Sequence, residues 1–145
     1  MSFEDCIKFA NENPTCYIAT VEDDQPRVRP IGLWYADQQG FYIQTQLVKA
    51  FAKQMGKHPK IEMCFYATGD DPRMGKVMRV SGMVKPITDA GMLERCINER
   101  PFLKTMGIEK PDNPLLAVFH LYTGEAFFWT GANSMKEAQI PRIKF

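Results

Sequence analysis

Hydrophobic and polar positions alternate first at helical spacing and then, for most of the chain, at strand spacing. Phe3, Cys6, Ile7 and Ala10 share a helical face behind Ser2, a good N-cap, with Glu4 and Asp5 adding acids to the first turn. Asn13-Pro14 ends that helix. Cys16–Val21 reads as a strand, Glu22–Gln25 as its polar turn, and Arg27–Tyr35 as the returning strand. Pro30 inside it predicts an edge or bulged position, and Gly32 permits close approach by another backbone or a flat ligand. Phe41–Thr45 is the next strand, and Val48–Lys57 is a short helix stopped by His58-Pro59. In Lys60–Ala67, Ile61, Met63 and Phe65 alternate with Glu62, Cys64 and Tyr66. A loop over Thr68–Gly75 leads into a strand over Lys76–Lys85, where Gly82 suggests a bulge. Thr88 or Asp89 caps a helix running to about Asn98, and residues 100–114 form a proline-punctuated connector. Leu115–Tyr122 and Glu125–Thr130 read as a hairpin about Thr123-Gly124, and Ile140–Phe145 can add a last strand.

Six or seven strands joined mostly by hairpins favour a mainly β fold over a parallel α/β sheet. The expectation is a closed or nearly closed antiparallel β-barrel with peripheral helices. At 145 residues the chain is expected to form a single domain over 1–145. Its 45% hydrophobic and 24% charged residues are ordinary for a soluble globular protein. The longest aliphatic and aromatic run, Leu115–Phe119, is far short of a membrane span. Glu4 and Asp5 near the start, with no apolar signal-type segment, make a cytoplasmic location the default expectation. A net charge of +1 gives no global field toward nucleic acid or an anionic membrane, so any anion site must be local. Cys6, Cys16, Cys64 and Cys96 form no C-x-x-C pair and read as free buried thiols of a reducing compartment. With His58 and His120 the only histidines, no metal-ligand spacing is present and no metal is expected.

The candidate chemistry lies between Pro26 and Lys53. Arg27 and Arg29, two apart on a strand, project from one face. If the next strand returns through Asp37–Gly40, the Thr45 hydroxyl and the Lys49 ammonium stand where a helix begins. Two guanidiniums, a hydroxyl, an ammonium and a helix N-terminus suit a phosphate dianion. The alternative is a solvated arginine face beside an ordinary helix-surface lysine. Gly69–Val77 approximates a P-loop, but its glycines are one residue too far apart, Val77 replaces the hydroxyl, and a strand follows. Neither G-x-G-x-x-G nor G-x-S-x-G occurs, so no Rossmann unit or serine elbow is indicated.

Four segments carry a family resemblance: ATVEDDQPRVRPIG (Ala19–Gly32), FYIQT (Phe41–Thr45), KAFAKQMGKHPKIEMCF (Lys49–Phe65) and VMRVSGMV (Val77–Val84). In this order they resemble the pyridoxamine 5′-phosphate oxidase-like family of FMN-binding split β-barrels. The Phe127-Phe128-Trp129 strand is similar to the last barrel strands of its small members. The resemblance implies a six-stranded antiparallel Greek-key barrel that forms a homodimer, with FMN in grooves at the subunit interface. It implies phosphate contacts at Arg29, with Arg27 nearby, and at Lys49, with Thr45 in the place of the family's hydroxyl. It lays the backbone of Pro30, Ile31 and Gly32 along the isoalloxazine, and brings Trp129 toward the flavin of the partner subunit; barrel-end packing is the other role open to Trp129. The arginine–leucine–histidine–aspartate–arginine stretch of true pyridoxamine phosphate oxidases has no counterpart in TGANSMKEAQIPRIKF, and Leu47 replaces the usual serine before the lysine. The implied activity is therefore a flavin-dependent oxidoreductase, passing hydride or electrons between a nicotinamide donor and a small organic acceptor, without pyridoxine chemistry. A flavin-binding or sensing protein without turnover, a haem-binding relative using His58 or His120, and a structural barrel with an empty groove are the alternatives. No catalytic nucleophile, base or metal triad is visible, and no nucleic-acid or membrane partner is expected.

Overall fold

The computed structural model describes residues 1–71 and 75–145; Pro72–Met74, within the P-loop-like stretch and the loop expected over Thr68–Gly75, lie outside the described residues. In order the elements are α1 (Phe3–Glu12), β1 (Thr15–Glu22), β2 (Gln25–Gly32), β3 (Tyr35–Asp37), β4 (Gly40–Gln46), α2 (Ala50–Lys57), β5 (Lys60–Ala67) and β6 (Lys76–Pro86). There follow α3 (Ala90–Glu99), α4 (Phe102–Thr105), β7 (Leu116–Thr130), a 3₁₀ helix (Gly131–Gln139) and β8 (Ile143–Lys144).

All the strands join one antiparallel sheet in the order β2-β1-β5-β6-β7-β4-β3, with β8 beside β7. The expected strand Arg27–Tyr35 is two, β2 and β3, separated by Leu33-Trp34, and these two form the ends of the sheet path. The path therefore begins and ends on one stretch of chain, without a ladder closing it. The architecture differs here from the expected six-stranded closed barrel: among the described residues the sheet has eight strands and is open. The reason is local. Leu33 N donates to Pro14 O at 2.7 Å and Trp34 N to Tyr42 O at 3.0 Å, so the chain changes partner between the two strands.

The hairpin expected about Thr123-Gly124 is also corrected: β7 runs unbroken through it for 15 residues, pairing with β6 and, in its first half, with β4. Gly124 faces Gly82 across the ladder, and a Cβ at either position would come within about 2.1 Å of a backbone oxygen. Two glycines let the two backbones approach closely within the ladder, rather than turn the chain. The register slips between Met83 and Val84, beside the bulge position expected at Gly82.

Inward residues of the strands, Ile18, Phe41, Ile43, Met63, Phe65, Met78, Val80 and Leu121, are buried in one core. Helix α1 caps it with Cys6, Ile7 and Ala10, and α2 with Phe51, Ala52 and Met55. The Ser2 capping box fixes the start of α1, its hydroxyl accepting from Asp5 N. On the other face of β7, Leu116 and Val118 pack with Cys96, Ile97, Leu103 and Ile108 from the α3–α4 region in a second cluster. The tail beyond Trp129 closes the molecule: β8 pairs with Glu125 and Ala126, and Phe145 stacks on Phe3 at 4.7 Å. All four cysteines are free, three of them buried and Cys64 half-buried. Burial pushes the thiols of Cys6 to about 11 and of Cys16 and Cys96 to about 12, leaving them protonated and unreactive at neutral pH.

Candidate functional site: a cationic cleft beside strand β2

Strand β2 has a ladder partner on one side only, the position where the missing N–H of Pro30 is tolerated. Its register with β1 sets Arg27 opposite Thr20, Arg29 opposite Ile18 and Ile31 opposite Cys16. These three therefore point to the core side of the wall, while Val28 and Pro30 point outward. Where β2 runs past α2, the core side opens into a cleft of about 230 Å³. Arg29, Pro30, Ile31, Gly32, Thr45 and Lys49 line it, with Gln44, Gln46, Phe51, Arg100 and Phe102. Six of the eight residues singled out in the sequence thus meet in one cleft.

Arg29 is held before any ligand arrives. Its Nη1 donates to Thr20 Oγ1 at 2.7 Å and Ile18 O at 3.2 Å, and its Nη2 to Gln54 Oε1 at 2.6 Å. The guanidinium lies 4.6 Å from the centre of the Phe51 ring. Burial, and then the charge of Arg27, lower its pKa from the ordinary arginine value, and it remains a cation. Lys49 is exposed and is the N-cap of α2, which no side chain caps; its own N–H donates to Gln46 O at 3.0 Å. An uncapped first turn beside an ammonium favours an anion.

Arg27 and Trp129 lie elsewhere. Arg27 points along the wall to Glu22, 3.2 Å away, and is not part of the cleft lining. The Glu22 carboxyl is held below the usual range first by the Gln54 amide and then by Arg27. Trp129 is half-buried opposite Val77 at the far end of β7, four strands around the wall from β2.

Gln44, Gln46, Arg100 and Phe102 joined the site without being foreseen. Gln44 and Gln46 share the face of β4 that carries Leu116 and Val118 as neighbours, under α3 and α4. Two glutamines on one side of a strand buried throughout its length were a readable signal. Arg100 gave none, because only tertiary packing carries it across 67 residues to donate to Leu33 O at 3.3 Å and to Gly32 O at 3.4 Å. The cleft wall holds three cations, Arg29, Lys49 and Arg100, and no acid. A chain of net charge +1 has thus gathered positive charge at one point.

The two histidines lie outside this cleft. His58 borders a separate hollow with Glu22 and Lys57. His120 stacks on Tyr42 at 4.4 Å and its Nε2 is 2.7 Å from Gln39 O, and burial lowers its pKa. Among the described residues no group of three His, Cys, Asp or Glu could hold a metal ion, and no helix is long and apolar enough to cross a membrane.

Known structures share this architecture. A NimC/NimA family protein from Clostridium acetobutylicum is 25% identical, with a TM-score of 0.78 covering 98% of this chain and 92% of that one. HutZ, the haem storage protein of Vibrio cholerae, is 16% identical with a TM-score of 0.67, covering 90% of this chain and 95% of its own. An FAD-binding protein from Mesorhizobium loti is 19% identical with a TM-score of 0.63, covering 84% and 90%. The sequence has no match among the curated proteins. The family model for pyridoxamine 5′-phosphate oxidase matches residues 3–130, from the first residue of α1 to the last of β7, and the chain belongs to that family.

Proposed function

We propose that the cleft beside β2 binds FMN and that the protein is an FMN-dependent oxidoreductase, passing hydride or electrons from a nicotinamide donor to a small organic acceptor. The observation that carries this reading is an acid-free cleft lined by three cations, Arg29, Lys49 and Arg100, with Lys49 at the uncapped start of α2. Lys49 and Arg29 hold the phosphate, with the Thr45 hydroxyl beside them. The Pro30–Gly32 backbone offers a flat rail for the ring. Arg29 is oriented by Thr20 and Gln54, so little ordering entropy is lost when it meets an anion. Bound flavin supplies the redox chemistry itself, and the chain supplies position and field. The inert thiols and the absence of a cysteine or histidine in the cleft lining accord with that division of labour.

A homodimer belongs to the same proposal. The cleft, at about 230 Å³, is below the usual range of roughly 300–1,000 Å³ for ligand sites, so one chain supplies only part of the wall. On the outer face of β1 and β2, Val28 is 69% and Tyr17 51% exposed, an apolar surface suited to a second copy. In that dimer the partner's Trp129 approaches the ring. The four free thiols support a reducing, cytoplasmic setting.

The test is the purified protein itself. Yellow colour, flavin fluorescence on denaturation and release of FMN support the reading; colourless protein that does not take up added FMN overturns it. Oxidation of NADH or NADPH with quinones or nitroaromatics separates an enzyme from a flavin-binding protein without turnover. The haem-binding alternative draws on the likeness to HutZ, and a red-brown protein with a Soret band would carry it.

A further inference from the structure

Among the described residues, four side-chain atoms are buried without a hydrogen-bond partner: Trp34 Nε1, Gln46 Oε1, His58 Nε2 and Arg100 Nε. Two of the four, Gln46 Oε1 and Arg100 Nε, belong to residues that line the same cleft. A buried polar group without a partner costs stability, and such groups call for a ligand or water to explain them. Gln46 is only 7% exposed, and Arg100 is fixed by its two Nη donations to Gly32 O and Leu33 O, so neither can swing into solvent to recover a partner.

We propose that Arg100 and Gln46 read the heterocycle of the bound ligand, Arg100 Nε–H donating to a ring carbonyl and Gln46 Oε1 accepting from a ring N–H. The inference rests on the FMN reading above and assigns the part of the ligand that the phosphate contacts leave unspecified. An orphan donor and an orphan acceptor in one wall complement an imide edge, N–H beside C=O, which the pyrimidine portion of a flavin presents. Position supports this division. Arg100 is clasped to Gly32 and Leu33, three and four residues along the chain from Arg29, whose own guanidinium is turned to Thr20 and Gln54, so the two cations are anchored to different parts of the lining. Phe102, at 5.0 Å from the Arg100 guanidinium, adds an aromatic surface at the same end. The start of the segment 100–114, a connector in the sequence reading, thereby becomes the selective wall of the cleft.

The experiment compares FMN with riboflavin, which has the same ring and no phosphate, in fluorescence titrations of wild type, Lys49→Ala, Arg100→Met and Gln46→Met. Removing a ring contact should weaken both ligands equally, about 10-fold for Arg100→Met and about 5-fold for Gln46→Met. Lys49→Ala should weaken FMN alone. Thermal melts establish folding, and if Arg100→Met does not fold, Gln46→Met decides by itself. Loss of FMN binding with riboflavin unaffected would make these residues phosphate ligands, and unchanged affinity for both would remove them from the site; either result overturns the proposal. Failure of wild type to bind FMN at all would instead sink the functional reading on which it stands.

Discussion

Arg29 donates to three acceptors, two on β1 and one on α2, so its proposed role in binding cannot be separated from its role in folding. Gln54 Oε1 accepts from both Arg29 and Thr20 at 2.6 Å, and Gln54 Nε2 donates to Glu22 at 2.9 Å, a chain running from core to rim. Arg29→Met should lower stability by about 1–3 kcal/mol in urea unfolding, since buried acceptors lose their charged donor. The same change should weaken FMN on the order of 10- to 100-fold. Lys49 carries no such internal duty, and Lys49→Ala should leave the melting temperature unchanged while weakening FMN about 10-fold or more. Sequence reading found both residues because alternation within a strand is local and the helix start follows at a fixed distance. The ion pair of Arg27 with Glu22 spans the β1–β2 turn, and nothing in the bare pattern distinguishes it from a ligand contact.

At the scale of elements, β7 is the strand on which the sheet turns. Thr123-Gly124 between two apolar runs carries the composition of a hairpin turn, yet the glycine serves a close crossing with Gly82 instead. Such a crossing is a long-range fact that local composition cannot express. Gly124→Ala should cost at least about 3 kcal/mol, because the new Cβ meets the Ser81 carbonyl and the Gly82 Cα rather than a movable side chain. A well-folded variant with wild-type urea midpoint would contradict the observed register. The tail has a structural role: Phe145 packs on Phe3 and Phe41, and β8 covers β7 beyond the end of β4. Phe145→Ala should cost about 2 kcal/mol with the FMN dissociation constant unchanged.

At the scale of the whole molecule, the sheet order, the two clusters and the cationic cleft describe a family fold whose open edge strand lines the candidate site. The mainly β, antiparallel class was legible because hairpin turns and alternation recur along the chain; the count was not, because Arg27–Tyr35 divides into β2 and β3. The open path was not, since it depends on two backbone bonds at Leu33 and Trp34. His120 makes the fold sensitive to acid. Its folded pKa is depressed below 6.5, chiefly by burial and further by Lys85, so below that value the unfolded chain binds more protons. Its contribution is complete above pH 6.5 and is lost as pH falls toward the folded value; His120→Gln should flatten the fall of the urea midpoint between pH 7 and 5. The most direct test of the central claim is the ratio of riboflavin to FMN dissociation constants for the wild-type protein. Two charged contacts at the phosphate predict a preference for FMN of about 100-fold or more, screened toward unity by added phosphate. Equal affinity for the two flavins would show that the cleft beside β2 holds no phosphate.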